Sequence, residues 1–179
     1  MKTLLLACVS FLPYAWLGCS KDVAPGGERS ERSSVAWEAQ HSVIADADRA
    51  TVWAYHSDVD NWVRFEGDAV ESITLDGLFQ TGTSGTTKMP DQEPTHWQLV
   101  EVDPPRRTVI EMALGDAVFR TVWTFDTVPG GRTRLTQHMM LEGLGADTLA
   151  AFMEEFFGKT MGVGMERIAA DIGQYAANR

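Results

Sequence analysis

The chain has 179 residues, enough for one domain with a full hydrophobic core but too few for two such domains. Its 25 acidic residues outnumber its 15 basic ones, so the formal net charge at pH 7 is −10. No cluster of Lys or Arg stands apart from the acidic side chains, so a phosphate backbone would be repelled. The composition therefore excludes nucleic acid as a partner, and the acidity is otherwise typical of an ordinary solvated surface.

Both cysteines, Cys8 and Cys19, lie within the first nineteen residues. The rest of the chain has no thiol, which excludes disulfide bonds, cysteine-ligated zinc and a cysteine nucleophile from it. Any binding or catalytic chemistry of the folded body must come from other side chains.

The N-terminal segment is typical of a targeting signal. Residues 3–17 form an apolar run that is too short for a comfortable bilayer span but suits a secretion signal. The run ends in Trp16-Leu17-Gly18-Cys19-Ser20, which resembles the bacterial lipoprotein box. That resemblance implies that Cys19 is lipidated.

The chain is therefore predicted to have three parts: a signal peptide over 1–19, a flexible tether over 20–34 and a folded domain over 35–179. The tether is predicted because its sequence is rich in Gly, Ser and charge and has no apolar periodicity. We expect the protein in the bacterial cell envelope, with a lipid anchor at Cys19 holding it to a membrane. Two alternatives stay open, namely ordinary secretion and a misassigned start near Val35, which would make the protein cytoplasmic.

The folded domain is predicted to open with one strand and two short helices. Val35–Ala45 alternates apolar and polar residues, which is the period of a half-buried strand. Asp46 or Asp48 can then cap a short helix that runs through Tyr55. A second capped helical turn is predicted over 57–62.

Six further alternating stretches follow, separated by turn signals such as Asp76-Gly77 and Pro129-Gly130-Gly131. They predict strands over 69–75, 82–88, 95–102, 106–114, 117–126 and 133–142. Together with the first strand they indicate an antiparallel sheet.

One long amphipathic helix is predicted from residue 146, where apolar positions begin to recur every three or four residues. Its apolar face comprises Leu149, Phe152, Met153, Phe156, Phe157, Met161, Met165, Ile168, Ile172 and Tyr175. Gly158, Gly162 and Gly164 interrupt this helix, and each costs about 1 kcal/mol relative to alanine in a helix interior. Either close packing on the sheet or a bend that admits a ligand must offset this cost.

Residues spread along the chain carry a family resemblance. They are Ala50-Thr51-Val52-Trp53, Asp58 with Trp62, Gly77 and Phe79 with Gly82-Thr83, Trp97 with Val102 and Pro104, Trp123, and Thr133-Arg134-Leu135-Thr136. With the order of elements, this set resembles the START-like or SRPBCC superfamily, in its polyketide cyclase/dehydratase-like branch, over residues 35–178. The resemblance implies an α+β helix-grip fold, in which a curved antiparallel sheet of about seven strands surrounds a long C-terminal helix and leaves an apolar cavity. Members range from lipid and hormone carriers to aromatase/cyclases and chaperone activators, so function does not follow from fold.

Alternation along the strands, and the apolar faces of the helices, predict which side chains line this cavity. The predicted lining is Trp53, Ile110, Met112, Phe119, Trp123, Phe125, Leu135, Gln137, Met139, Phe152, Met153 and Phe156. Aromatic and thioether groups suit an apolar or polycyclic ligand, because aromatic rings stack and methionine adapts its shape. The same residues would serve equally well as a filled core, and this alternative stays open.

Three side chains are candidates for catalysis: His41, Glu111 and Gln137. A polyketide cyclase needs a base or a polarising group beside a carbonyl, to remove a proton and stabilise the enolate. Each candidate also has a structural interpretation. His41 could be a hydrogen-bonded strand residue, and Gln137 could orient a ligand without reacting. Glu111 could be an exposed partner of Arg107 or Arg120.

The sequence predicts neither a metal site nor a cofactor. The four histidines, His41, His56, His96 and His138, do not stand at metal-ligand spacing from another ligand. The glycine-rich stretch 77–85 lacks the Lys-Ser or Lys-Thr of a phosphate loop, so a hairpin is expected there. His138 has the opposite parity to Leu135 along its strand, so it is expected at the surface or rim.

The leading hypothesis is that the protein binds or carries a small hydrophobic molecule between the sheet and the C-terminal helix. A cyclase/dehydratase-type enzyme is the first alternative, and it requires a titratable group inside the cavity. A chaperone-activator-like interaction module is the second, and it predicts a shallow groove with an exposed patch.

Overall fold

The computed structural model describes residues 35–66 and 70–179. Its seven strands are β1 (Val35–Ala45), β2 (Ser72–Leu75), β3 (Ser84–Lys88), β4 (Thr95–Asp103), β5 (Arg107–Leu114), β6 (Ala117–Val128) and β7 (Arg132–Gly143). They form one antiparallel sheet in the order β1-β7-β6-β5-β4-β3-β2. The predicted α+β class with a seven-stranded sheet is therefore confirmed. The predicted signal peptide, the tether and Cys19 lie outside the described residues.

The strand bounds follow the alternation closely. The largest difference is at β2, which is predicted from residue 69 and begins at Ser72. β6 and β7 are longer than predicted, because their pairing continues to Val128 and Arg132 beside the turn.

Two short helices connect β1 to β2, as predicted. They are α1 (Arg49–His56) and α2 (Asp60–Glu66). Of the two proposed caps for α1, Asp48 is the one used, since its Oδ1 accepts the Thr51 backbone N–H at 2.8 Å. This hydrogen bond from Thr51 also lowers the pKa of the Asp48 carboxyl. The second helix starts later and runs further than the predicted 57–62.

The register of the sheet separates an inner face, toward the helices, from an outer face. On the inner face Leu135 of β7 lies opposite both Val43 of β1 and Phe125 of β6. These three side chains are buried and pack against the C-terminal helical region. The parity predicted for β6 and β7 is therefore correct.

The C-terminal region is interrupted rather than one continuous α-helix. It consists of α3 (Ala146–Met153), a π-helical turn (Glu154–Gly158) and α4 (Met161–Ala177). None of the described helices is long and apolar enough to cross a membrane. The predicted single helix is thus corrected: Gly158 lies in the interruption, whereas Gly162 and Gly164 lie inside α4.

The interruption contacts β1 through a side-chain hydrogen bond. The Trp37 indole Nε1–H donates to Glu154 Oε2 at 3.0 Å, although the two residues are 117 positions apart. A Cβ at Gly158 would overlap the Glu154 carboxylate, so a larger residue there would require that carboxylate to move. The π-turn is therefore tied to the first strand by a side-chain hydrogen bond.

The interior contains two separate groups of buried side chains. The first, here called the main cluster, joins β1, β6 and β7 to α1, α3 and α4 and includes Phe125, Leu135, Leu141, Met153, Met165 and Ile172. The second, here called the edge cluster, consists of Val70, Ile73, Met89, Trp97 and Leu99. Because α4 packs mainly on β1, it covers one half of the sheet more fully than the other.

Candidate functional site

The boundary between the two clusters is the candidate binding region. Ile110 and Met112, on the inner face of β5, pack against both clusters yet are only half-buried. Their neighbours in the sheet, Leu99 on β4 and Phe119 on β6, are buried. At these two positions of β5 the inner face is therefore less fully covered than at the paired positions on β4 and β6.

The structure divides the predicted lining into two sets. Six side chains are buried in the main cluster: Phe119, Trp123, Phe125, Leu135, Met139 and Met153. Six are half-buried: Trp53, Ile110, Met112, Gln137, Phe152 and Phe156. The first set belongs to the buried core, and the second set remains partly accessible.

Two of the three catalytic candidates lie together on the inner face. His41 of β1 is directly opposite Gln137 of β7, and Gln137 is opposite Trp123 of β6. Both polar side chains are half-buried, and neither has a hydrogen-bond or ionic partner within residues 35–66 and 70–179. Gly162 of α4 lies over the imidazole, since a Cβ there would be 3.4 Å from His41 Cε1.

Glu111, the third candidate, lies on the other side of the sheet. It is opposite Arg120, whose Nε–H donates to Glu111 Oε1 at 2.7 Å. Arg120 Nη1 also lies 2.9 Å from Glu142 Oε1. The carboxylate is therefore part of an outer-face ion-pair network, which is the structural interpretation expected for it, and it does not reach the inner face.

His56 is a buried polar residue to which the sequence assigned no role. Its Nε2 lies 2.7 Å from the Thr108 hydroxyl oxygen, and both residues are buried. Its ring is surrounded by those of Trp53, Trp62, Phe79, Trp123 and Phe125, with centroids 4.9–6.2 Å away. Burial lowers the pKa of His56 to about 3, so the imidazole is neutral at physiological pH.

A sequence signal for His56 does exist in hindsight. It follows Trp53 by three positions in α1, so both side chains fall on the same side of that short helix. Thr108 is opposite Trp123 across β5 and β6, on the face predicted to be internal. Only the fold brings these two signals together.

The remaining histidines are on the outer face or exposed. His138 Nε2 lies 3.2 Å from Glu38 Oε2 on neighbouring strands, as expected for a rim residue. His96 Nδ1 lies 3.1 Å from the Thr86 hydroxyl. Within the described part of the chain, no three His, Cys, Asp or Glu side chains are grouped closely enough to hold a metal ion.

An open depression of about 440 Å³ lies at the other edge of the sheet, between the α1–α2 connection and the β2–β3 connection. Asp58, Leu75 and Phe79 are among the residues that line it. Phe79 packs edge-on against the His56 ring, at 5.6 Å between centroids. Leu78 beside it is 75% exposed, so this is the kind of shallow surface that an interaction module would use.

Comparison with solved structures shows the fold. The structure is similar to norcoclaurine synthase from Thalictrum flavum, with a TM-score of 0.62 and 11% identity over 89% of this chain and 100% of that one. It is similar to a solution structure from Thermobifida fusca, with a TM-score of 0.62 and 22% identity over 77% of this chain and 94% of that one. Zhui aromatase/cyclase from Streptomyces sp. R1128 has a TM-score of 0.58 and 16% identity, over 75% and 92% of the two chains.

A search of curated proteins found no match to this chain. A protein-family model, described as polyketide cyclase / dehydrase and lipid transport, matches residues 36–173. This match spans the sheet, the connecting helices and most of α4. The chain therefore belongs to the polyketide cyclase / dehydrase and lipid transport family, within the START-like or SRPBCC superfamily, and has its helix-grip fold.

Proposed function

We propose that this protein binds a small apolar molecule on the inner face of its sheet, between the main cluster and the edge cluster. The observation that supports this proposal is the half-burial of Ile110 and Met112 where the two clusters meet. Apolar side chains on a concave face gain free energy when they are covered, about 25 cal/mol for each Å² removed from water. A bound molecule would supply that cover.

The chemistry of the surroundings favours an aromatic or polycyclic ligand. Trp53 is half-buried and makes edge contacts with Phe79 and Phe125, at 5.9 Å between centroids in each case. Phe152 and Phe156 form a second aromatic pair at 4.4 Å. Flat aromatic surfaces with an adaptable thioether at Met112 accommodate rings of different outline.

Filling the proposed space tests this function. Met112→Trp places a large side chain at the boundary of the clusters, whereas Ala113→Trp, one residue along β5, places the same side chain on the exposed outer face. Native mass spectrometry of the purified full chain, followed by organic extraction, would show any small molecule that co-purifies, and titration with 2-ethylnaphthalene would measure binding of an apolar probe. We expect Met112→Trp to lose the co-purifying molecule and the binding of the probe, and Ala113→Trp to keep them. A wild-type chain that carries no extractable molecule and does not bind the probe would overturn the proposal.

Catalysis by a cyclase/dehydratase-type reaction is the second candidate function, because His41 and Gln137 are adjacent on the inner face and have no polar partner among the described residues. In such a reaction the imidazole would remove a proton beside a carbonyl, and the Gln137 amide would donate a hydrogen bond to the enolate oxygen. The test is deuterium uptake from D₂O by an aromatic 1,3-diketone, followed by NMR. Deuterium uptake that is faster than in buffer, and that His41→Leu abolishes, would support catalysis. Uptake at the buffer rate would contradict catalysis and leave ligand binding as the proposed function.

We also propose that a lipid on Cys19 anchors the protein to a membrane. This proposal rests on the resemblance of residues 16–20 to a lipoprotein box. Labelling of expressing cells with a fatty-acid analogue, with Cys19→Ala as the control, measures it. Label on the unmutated chain and none on the variant is the expected result. Equal labelling of both would exclude Cys19 as the site.

A further inference from the structure

We infer that the ligand is an uncharged molecule with a carbonyl or hydroxyl oxygen at one end, and that His41 and Gln137 bind this oxygen. The inference rests on the proposed function and specifies its ligand class. It starts from the position of the two side chains, which are directly opposite on β1 and β7. Such pairs have their Cβ atoms about 4.5–5.5 Å apart, so one small polar group can contact both.

Both side chains have unused hydrogen-bonding capacity. The amide of Gln137 has two donors and an acceptor, the imidazole of His41 has a donor and an acceptor when neutral, and none is used within the described residues. The polar atoms of both side chains keep some contact with solvent, since the Tyr55 hydroxyl is the side-chain group found both buried and without a partner among the described residues. A ligand oxygen that accepts from one and, if it is a hydroxyl, donates to the other would replace the water that they contact in the unbound protein.

The position of the pair limits where the polar end of the ligand can lie. Gly162 of α4 lies against the His41 ring, so the half-buried imidazole sits between the helix and the sheet. On the sheet side Gln137 is opposite Trp123, whose ring lies in the main cluster. The oxygen would therefore bind near β1 and β7, with the apolar body extending toward Met112 and Ile110 on β5.

The charges of the sheet disfavour an ionic head group at this end. Every Lys, Arg, Asp and Glu on the seven described strands falls on the outer face by register, including Arg107, Glu111, Arg120 and Glu142. A carboxylate or phosphate brought to the inner face would lose its hydration without meeting a cation of the sheet. Free fatty acids and phospholipid head groups therefore fit this surface poorly, and neutral aromatic ketones, phenols or alcohols fit it well.

Three probes with one ring system test the inference: 2-acetylnaphthalene, 2-ethylnaphthalene and 2-naphthoate, titrated into the purified full chain and followed by tryptophan fluorescence. We expect the ketone to bind about threefold to tenfold more tightly than the hydrocarbon, which is the factor that a net hydrogen bond supplies. We expect the carboxylate to bind at least about tenfold more weakly than the ketone. Gln137→Leu should reduce the affinity for the ketone to that for the hydrocarbon and leave the hydrocarbon unaffected.

Gln40→Leu is the matched control, since Gln40 is an exposed residue on the outer face of β1. It should leave all three affinities unchanged. Equal binding of the three probes by the wild type, or tightest binding of 2-naphthoate, would overturn this inference and leave the proposed apolar site standing. Binding of none of them would overturn both. A thermal melt would show whether Gln137→Leu folds. If it does not, the comparison of the three probes on the wild type and on His41→Leu still tests whether the oxygen of the ligand is bound.

Discussion

His56 is the residue whose chemistry departs furthest from its ordinary state. Its folded-state pKa is about 3, whereas an unfolded histidine titrates near about 6.5. Between these two values the unfolded chain binds a proton that the folded chain does not. The contribution of His56 to stability is therefore complete above about pH 6.5 and is lost as the pH falls.

The resulting prediction is a fall in the free energy of unfolding of about 2 kcal/mol between neutral pH and about pH 5, through this residue alone. Urea unfolding at the two pH values measures it in the wild type and in His56→Gln, which keeps a polar group but does not titrate. The variant should lack this part of the pH dependence. His96→Gln, at an exposed histidine, should retain it. Equal pH dependence in the wild type and in His56→Gln would contradict the prediction.

Two buried hydroxyls give opposite predictions. The Tyr55 hydroxyl has no hydrogen-bond partner among the described residues, and burial raises the pKa of Tyr55 to about 12. The Thr133 hydroxyl donates to the Ala47 carbonyl at 2.9 Å. We expect Tyr55→Phe to be neutral or stabilising and Thr133→Val to cost about 1–3 kcal/mol, because only the second leaves a partner unsatisfied. Denaturant unfolding of both variants decides, and a loss of stability in Tyr55→Phe as large as that in Thr133→Val would show that the tyrosine hydroxyl has a partner.

At the scale of elements, the strands could be predicted and the π-turn could not. Alternation is a local property, so the bounds of β1 and the inward face of β6 are encoded within each segment. The helical pattern from residue 146 is equally local, and its glycines indicate an interruption. The hydrogen bond between Trp37 and Glu154 at that interruption is not local, because the fold brings the two residues together from distant positions.

Glycines in different elements should respond differently to alanine. A Cβ at Gly164, in α4, would meet no atom within 4 Å of the described structure, so Gly164→Ala should stabilise by about 0.5–1 kcal/mol. A Cβ at Gly85, in β3, would overlap the Trp97 indole, which is buried and donates to the Thr87 hydroxyl at 3.1 Å. Gly85→Ala should therefore destabilise by about 1–3 kcal/mol. Thermal unfolding of both variants measures these changes, and stabilisation by Gly85→Ala would contradict the packing described for Trp97.

At the scale of the whole molecule, the candidate site depends on long-range pairing. The sequence places Gln137 on the inner face through the parity of its strand, and it proposes His41 without a partner. That the two are neighbours follows from the pairing of β1 with β7, which no local pattern specifies. Similarly, the extent to which α4 covers the sheet decides which predicted lining residues are core and which are accessible. Periodicity identifies a face but does not reveal what lies over it.

The pairing of β1 at one edge of the sheet also constrains how the protein is made. Among the described strands its one neighbour is β7, and the hydroxyls of Ser42 and Thr136, 94 positions apart, meet across that pair at 2.7 Å. During synthesis the first strand must therefore wait until nearly all of the chain has left the ribosome before it can dock. Closing so long a loop slows folding and leaves the apolar side of β1 uncovered in the meantime.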